Sequence, residues 1–345
     1  MISVISSCKW LTFSRAADFA LATNLTFFEG LYRIITLNIS TLFINFYLIK
    51  TDSLPHFTDF RVLRNSFILS ENYPFVVKLI TYNIEYCEGM EGLWYQYLKF
   101  WRIFFPPKNL NRELVAALKK LKPDILALIE VDIGSLRARG KDEVRYLEQK
   151  LGLNDFVEKV KYPLHGWLKL FHHLPILNKQ ANALVSRFPF TKVKYHVFHE
   201  GTKRMVIEAN VACPNQVTLL AAHLALGRKT RTKQIKELIS IVNNIKNPVI
   251  LMGDFNTFNG EQEIQNLLKK THLKDLIKLD KKSLPLTEPA WHPKRRLDYI
   301  LTSPQIKVTK YSVLNFHFSD HLPLMIDFGF RKGLKQKNKP VITSR

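Results

Sequence analysis

The chain has 345 residues, 46% hydrophobic and 23% charged, which excludes a disordered chain or a membrane bundle and leaves room for one large domain or two ordinary ones. The formal net charge of +22 points to polyanionic partners: nucleic acid, an anionic membrane surface or a phosphorylated small molecule. Three widely separated cysteines, Cys8, Cys87 and Cys213, argue against a disulfide framework or a structural zinc site.

Residues 1–70 read as an N-terminal extension of unknown role. They hold six basic and four acidic side chains, so nearly all the excess charge lies in 71–345. Arg15, Asp18 and Asn24 interrupt the run after Lys9, which argues against a secretory signal. Ile34–Ile49 is mainly apolar, but a helix of that length spans roughly 24 Å, short of a ~30 Å hydrocarbon core. A targeting segment, a short anchor and a buried segment stay open there.

From residue 71 to 330, short apolar runs repeatedly end in a polar residue. Phe75–Tyr82 reads as a strand followed by Asn83. An aromatic-rich insertion runs to about Lys108. Asn111–Leu121 is an amphipathic helix stopped by Pro123. Ile125–Ile129 is a strand buried on both faces and closed by Glu130. A helix around Asp142–Leu151 precedes a long irregular region. Ala183–Ser186 and Met205–Val211 read as strands, and the turn Ala212–Asn215 leads into Val217–Ala222, which ends at His223. Thr232–Lys246 is a helix. Val249–Met252 is a strand leading to Gly253-Asp254-Phe255-Asn256. Leu297–Thr302, holding Asp298, and Leu322–Phe328, preceded by Asp320-His321, are the last two strands. Residues 331–345 form a basic tail without acids, expected to be solvated.

These residue types suit hydrolysis of a phosphate ester. The phosphoryl oxygens must be neutralised, a nucleophile activated and a leaving oxygen stabilised. A hard cation takes carboxylate and amide oxygens such as those of Glu130, Asp254, Asp320, Asn83 and Asn256. His223 and His321 can move protons, and Asp298 can orient His321. Each residue alone reads as a turn former or a structural group. The set, placed at strand ends in one order, carries the argument.

Tyr82-Asn83-Ile84, Leu128-Ile129-Glu130-Val131, Ala222-His223-Leu224, Gly253-Asp254-Phe255-Asn256, Arg296-Leu297-Asp298-Tyr299-Ile300 and Ser319-Asp320-His321-Leu322-Pro323 resemble the endonuclease/exonuclease/phosphatase superfamily, with its DNase-I-like fold, over about 75–330. The resemblance implies a four-layer α/β sandwich with two central mixed β-sheets. It implies Mg²⁺ or Mn²⁺ held at Glu130 with Asn83 and Asp320 nearby. It implies that Asp254 handles the nucleophilic water or a leaving-group proton, that Asn256 positions the phosphate, and that His321, paired with Asp298, binds or protonates the phosphoryl group with His223 assisting. Asn182, in a stretch that also resembles a family strand, would face the phosphate.

The resemblance leaves the substrate open. Leu93–Lys108, with Trp94 and Trp101, and His165–Lys179 set aromatics beside cations, as bases to be stacked or a membrane interface would require. Their aliphatic content favours lipid. Arg228 and Arg231, in Gly227–Lys233, read as a phosphate-binding rim at a helix start. The expectation is therefore a monomeric, cytoplasmic or peripheral-membrane phosphodiesterase acting on a membrane lipid or its headgroup. The alternatives are a nuclease, abasic-site-like, of the same chemistry, and a catalytically idle membrane-binding or scaffold module.

Overall fold

The computed structural model describes residues 76–87, 89, 107, 109–135, 137–160, 179–277 and 284–331. The extension 1–70, Trp94 and Trp101, nearly all of His165–Lys179 and the tail beyond Arg331 lie outside the described residues.

Two six-stranded sheets form the centre. The first holds β1 (Val77–Asn83), β2 (Ile125–Asp132), β3 (Asp155–Val160), β4 (Gln180–Ser186), β11 (Ile306–Val313) and β12 (Leu324–Phe330), in the order β11-β12-β1-β2-β4-β3. The second holds β5 (Phe190–Val197), β6 (Met205–Cys213), β7 (Asn215–His223), β8 (Val249–Asp254), β9 (Lys274–Asp275) and β10 (Asp298–Thr302), in the order β5-β6-β7-β8-β10-β9. Each sheet has one parallel pair, β1–β2 and β7–β8, among antiparallel ones. Both are mixed, as expected.

The alternation of side chains along a strand divides the apolar residues into layers. Val77, Leu79, Ile125 and Ala127 of the first sheet meet Val217, Leu219, Ala221, Ile250, Met252 and Ile300 of the second in a central core. The odd-man positions between them face outward. Ile80, Tyr82, Leu126 and Leu128 pack under helices α1 (Leu110–Leu121) and α2 (Glu143–Leu151). Leu220, Ala222, Leu251, Tyr299 and Leu301 pack under α3 (Arg228–Asn243) and α4 (Gln262–Lys270). Helix, sheet, sheet and helix thus make the four-layer sandwich that the sequence implied. Among the described residues, no helix is long and apolar enough to cross a membrane.

Two boundaries move in ways that matter for function. Strand β2 does not close at Glu130 but continues to Asp132 through an irregularity. Helix α3 starts at Arg228 rather than Thr232, with Gly227 at its N-cap.

Candidate active site

The central alternation delivers the site. On β1 the inward series Val77, Leu79 continues to Asn83; on β7 Val217, Leu219, Ala221 continues to His223; on β8 Ile250, Met252 continues to Asp254; on β10 Ile300 precedes Asp298. The core therefore turns polar at one end of both sheets. In the second sheet His223 is paired with Asp254, and Asp254 with Asp298, so the three stand side by side on one rung. Across the gap, Asn83 Nδ2 donates to Asp254 Oδ2 at 3.2 Å.

Local geometry explains the Gly-Asp-Phe-Asn motif. Gly253 has φ +130°, and a Cβ there would lie 2.0 Å from the Ala222 carbonyl oxygen, so no other residue fits. Asp254 Oδ1 accepts from the Asn256 N–H at 2.9 Å. Asn256 Nδ2 donates to the Leu224 carbonyl at 2.8 Å and to Asp254 Oδ2 at 3.2 Å. Its amide thus ties the loop after β7 to the loop after β8 and fixes the Asp254 carboxylate.

His321 reaches the rung from the connection between β11 and β12. Its Nδ1 lies 2.7 Å from Asp298 Oδ2, and its Nε2 lies 3.9 Å from both Asp254 Oδ2 and Asp320 Oδ1. Ser319 anchors this turn by donating to the Asn83 carbonyl at 2.7 Å and accepting from the His321 N–H at 3.1 Å. Thr287 Oγ1 accepts from the Asp298 N–H at 3.3 Å. Burial disfavours a charged His321 ring, but the Asp298, Asp320 and Asp254 charges outweigh it and raise the pKa well above the ordinary value. Burial likewise pushes the Asp254 carboxyl up. The His321 charge, a hydrogen bond from His223 and the Lys203 charge reverse that and hold it well below the usual carboxylate range. Both directions favour an ionised Asp254 facing a protonated His321, although burial pushes the Asp298 carboxyl up as well.

Glu130 comes from the other sheet by way of a bulge. The pairing of β2 with β4 slips between Leu128 and Val131, and Glu130 adopts φ +60°. Unbroken alternation would have put Glu130 on the side of Leu126 and Leu128, under the helices. The bulge lets its carboxylate lie 3.7 Å from His223 Nδ1. A left-handed non-glycine residue costs roughly 1–3 kcal/mol, a strain that belongs at sites where position matters more than stability. Asn182 Oδ1 accepts from the Glu130 N–H at 3.3 Å, so Asn182 stands beside this bulge and supports it.

One residue that the sequence did not single out joins them. Lys203 Nζ lies 2.5 Å from His223 Nε2 and 3.7 Å from Glu130 Oε1. The same His223 Nε2 lies 3.3 Å from Asp254 Oδ2. With a proton on Nε2 the ring donates to Asp254; without one it accepts from Lys203. Lys203 is held there by Gln234, whose Nε2 donates to the Glu200 and Lys203 carbonyls at 2.9 Å.

The donor set fits a hard cation. Burial pushes Asp320 up to about 6, and the Glu130, Glu288 and Asp254 charges add to the rise while His321 opposes it. Carboxylates crowded this way gain most from a divalent ion. Asp254, Asp298 and His321 also bring ligand atoms within 4.8 Å of one another. However, the His321–Asp298 hydrogen bond already occupies one atom of each, so that trio reads better as a charge pair than as a ligand cage.

Arg231 must be corrected. Instead of a phosphate-binding rim it is fully buried, with Nε and Nη2 on Glu263 at 2.8 Å and Nη1 on the Ala225 and Leu226 carbonyls at 2.9 and 2.6 Å. The earlier start of α3 turns it inward, where all its polarity is spent. Arg228, the first residue of the same helix, is exposed. Trp94 and Trp101 lie outside the described residues.

The family model described as Endonuclease/Exonuclease/phosphatase family matches residues 80–321. Two UPF0294 proteins, of Yersinia pseudotuberculosis and Yersinia pestis, are each 26% identical over 157 residues, 45% of this chain and 50% of the relative. The chain thus spans about half the length of the curated relatives it matches. Among solved structures, an endonuclease/exonuclease/phosphatase family protein of Bacteroides thetaiotaomicron is 15% identical with TM-score 0.58, over 75% of this chain and 99% of that one. The mannosyl-6-phosphatase Bt3783 of the same organism is 15% identical with TM-score 0.55, over 74% and 100%. D. rerio TDP2 complexed with a single-strand DNA product is 16% identical with TM-score 0.54, over 74% and 99%.

Proposed function

Because the chain belongs to the endonuclease/exonuclease/phosphatase family, we propose that this phosphoester hydrolase is a Mg²⁺- or Mn²⁺-dependent phosphodiesterase of a membrane lipid or its headgroup. The observation that carries the hydrolytic reading is the His223–Asp254–Asp298 rung, closed by His321 on Asp298 at 2.7 Å.

Glu130, Asp320 and the Asn83 side-chain oxygen are the groups that would hold the metal, which when bound supplies Lewis-acid neutralisation of the phosphoryl oxygens. Asp254, kept ionised, orients the attacking water and takes its proton as the phosphorus–oxygen bond forms. His321, kept protonated by Asp298, donates to a phosphoryl oxygen as charge builds there. His223 sits between Lys203, Glu130 and Asp254, where its ring can pass a proton toward the departing oxygen. Asn256 holds Asp254 in line.

Lipid is favoured by the aromatic and aliphatic content of Leu93–Lys108 and His165–Lys179. A nuclease is the second reading, favoured by the net charge of +22. The test is a turnover panel with Mg²⁺ or Mn²⁺: bis-p-nitrophenyl phosphate, single- and double-stranded DNA, RNA, sphingomyelin and inositol lipids. Turnover of a lipid above all nucleic acids supports the reading. Preference for an oligonucleotide replaces it with the second, and no turnover of any phosphoester removes both.

A further inference from the structure

Three loops leave the site end of the second sheet: 224–227 after His223, 255–261 after Asp254, and 284–297 before Asp298. They are tied into one body. Buried Arg231 bonds the Leu226 carbonyl at 2.6 Å and Asn259 Oδ1 at 3.3 Å, joining the first loop to the second. The Arg295 guanidinium lies 5.2 Å over the Phe258 ring, joining the second to the third. The third is pinned to the catalytic turn by the Ala290 N–H on the Asp320 carbonyl at 2.7 Å.

Each loop presents a large apolar side chain to solvent: Leu226 is 59% exposed, Phe258 39% and Trp291 43%. Cations are interleaved, with Arg228, Lys229, Lys294 and Arg295 all exposed. The acids of this rim are engaged: Glu288 holds Arg295 at 2.7 Å, Glu261 holds Arg296 at 3.2 Å, and Glu263 holds Arg231. One residue past His321, Leu322 lines a largely apolar cleft of about 380 Å³ with Leu284, Leu286, Pro293, Val313, Leu314 and the polar Asn315.

We propose that Leu226, Phe258 and Trp291, with Lys229 and Lys294, form a rigid platform on which the protein docks against an anionic lipid bilayer with its active-site cleft toward the headgroups. Apolar side chains that enter the interface, set among cations that meet anionic headgroups, are the chemistry of surface binding. A nucleic acid strand is the weaker match, because Leu226, the most exposed of the three, has no face on which a base can stack. The largely apolar cleft lined by Leu322, the residue after His321 in the chain, offers a place for the apolar part of an amphiphile. The inference deepens the lipid reading above and rests on it for the choice of surface alone.

The test measures binding without turnover, using the full chain in chelator. Co-sedimentation with phosphatidylcholine–phosphatidylglycerol vesicles is compared with phosphatidylcholine vesicles and a single-stranded oligonucleotide. Leu226→Ser/Phe258→Ser/Trp291→Ser should weaken partition onto the anionic vesicles by roughly tenfold or more, since buried apolar area is lost at each site. Its thermal midpoint and its turnover of bis-p-nitrophenyl phosphate with metal should stay at the parent values. Lys229→Gln/Lys294→Gln, which keeps all three apolar side chains, should weaken only the salt-sensitive part of the same partition. The proposal fails if the parent ignores anionic vesicles, if both variants partition as the parent does, or if they lose oligonucleotide binding and keep vesicle binding. Absence of turnover across the substrate panel, with platform-dependent vesicle binding intact, would instead sink the hydrolase reading alone.

Discussion

Replacing Arg231 by Leu should destabilise the domain far more than an ordinary helix-surface change. The guanidinium is 0% exposed and donates from every nitrogen: to both Glu263 oxygens, to the Ala225 and Leu226 carbonyls and to Asn259. Leucine fills part of the volume but leaves the Glu263 carboxylate, 6% exposed, without its counterion, and two carbonyls without donors. Removing one partner of a buried ion pair costs about 3–5 kcal/mol. For a domain of this size that is a fall in Tm of roughly 6–20 °C. Circular dichroism melts of the parent, Arg231→Leu, Glu263→Leu and the double variant close the cycle. The double variant should recover part of the loss, because it removes the stranded charge. A single variant that melts within about 2 °C of the parent would refute the account of Arg231 as a buried clamp.

Four further outcomes follow, three from the site and one from the buried Glu143 at the start of α2. His321→Ala and Asp254→Ala should each lower kcat by roughly 10²-fold or more at unchanged far-ultraviolet circular dichroism, and near-parental rates would remove both from the chemistry. Asp298→Asn takes away the charge that most raises the His321 pKa, so the alkaline limb of the pH–rate profile should move to lower pH; an unmoved limb would break the pairing. Chelation should abolish turnover, and Glu130→Gln should raise the metal concentration for half-activity as titrated by turnover; full rates in EDTA would sink the metal assignment. Burial, with the Asp132 charge, raises the Glu143 carboxyl from about 4.5 to about 7. The fold therefore favours its protonated form, a stabilisation present below about 4.5 and lost as pH rises through about 7. Glu143→Gln cannot ionise. Its stability relative to the parent should shift in its favour by about 3 kcal/mol across that window, read by urea melts at several pH values, and a parallel pair of curves would contradict the raised value.

Much of this molecule could be read from its residues, and what escaped has a common cause. The central strands are legible because each is an apolar run, and the candidate site residues stand out because each run ends in one polar residue. The strands missed, β3, β5, β9 and β11, are the four edges of the two sheets. Edge strands carry charge against edge-to-edge pairing, as in Phe190–Val197 with Lys192, Lys194 and His196, and so resemble loops. Lys203 escapes a sequence reading because its place beside His223 and Glu130 comes from residues far along the chain that no local pattern links to it. Arg231 was misread because four closely spaced cations suggest a solvated face, while the helix start that turns one inward is set by Gly227. The bulge at Glu130 is not legible in the sequence, since register slips leave little trace in composition.

The single rung that holds His223, Asp254 and Asp298 has a consequence for how such a protein can change. Neighbouring strands sit about 4.8 Å apart wherever a sheet is built, so backbone hydrogen bonding gauges the separation of these groups and the loops do not. Insertions beyond the rung can lengthen, shorten or recolour the mouth of the cleft while the reacting groups stay in step. Specificity and chemistry are thereby written in separate stretches of chain, and the first can be rewritten at little risk to the second. Replacing the exposed Leu226 or Trp291 side chains while keeping Thr287 and Ala290, which hold Asp298 and the His321 turn, should accordingly redirect what it binds before it alters how it cuts.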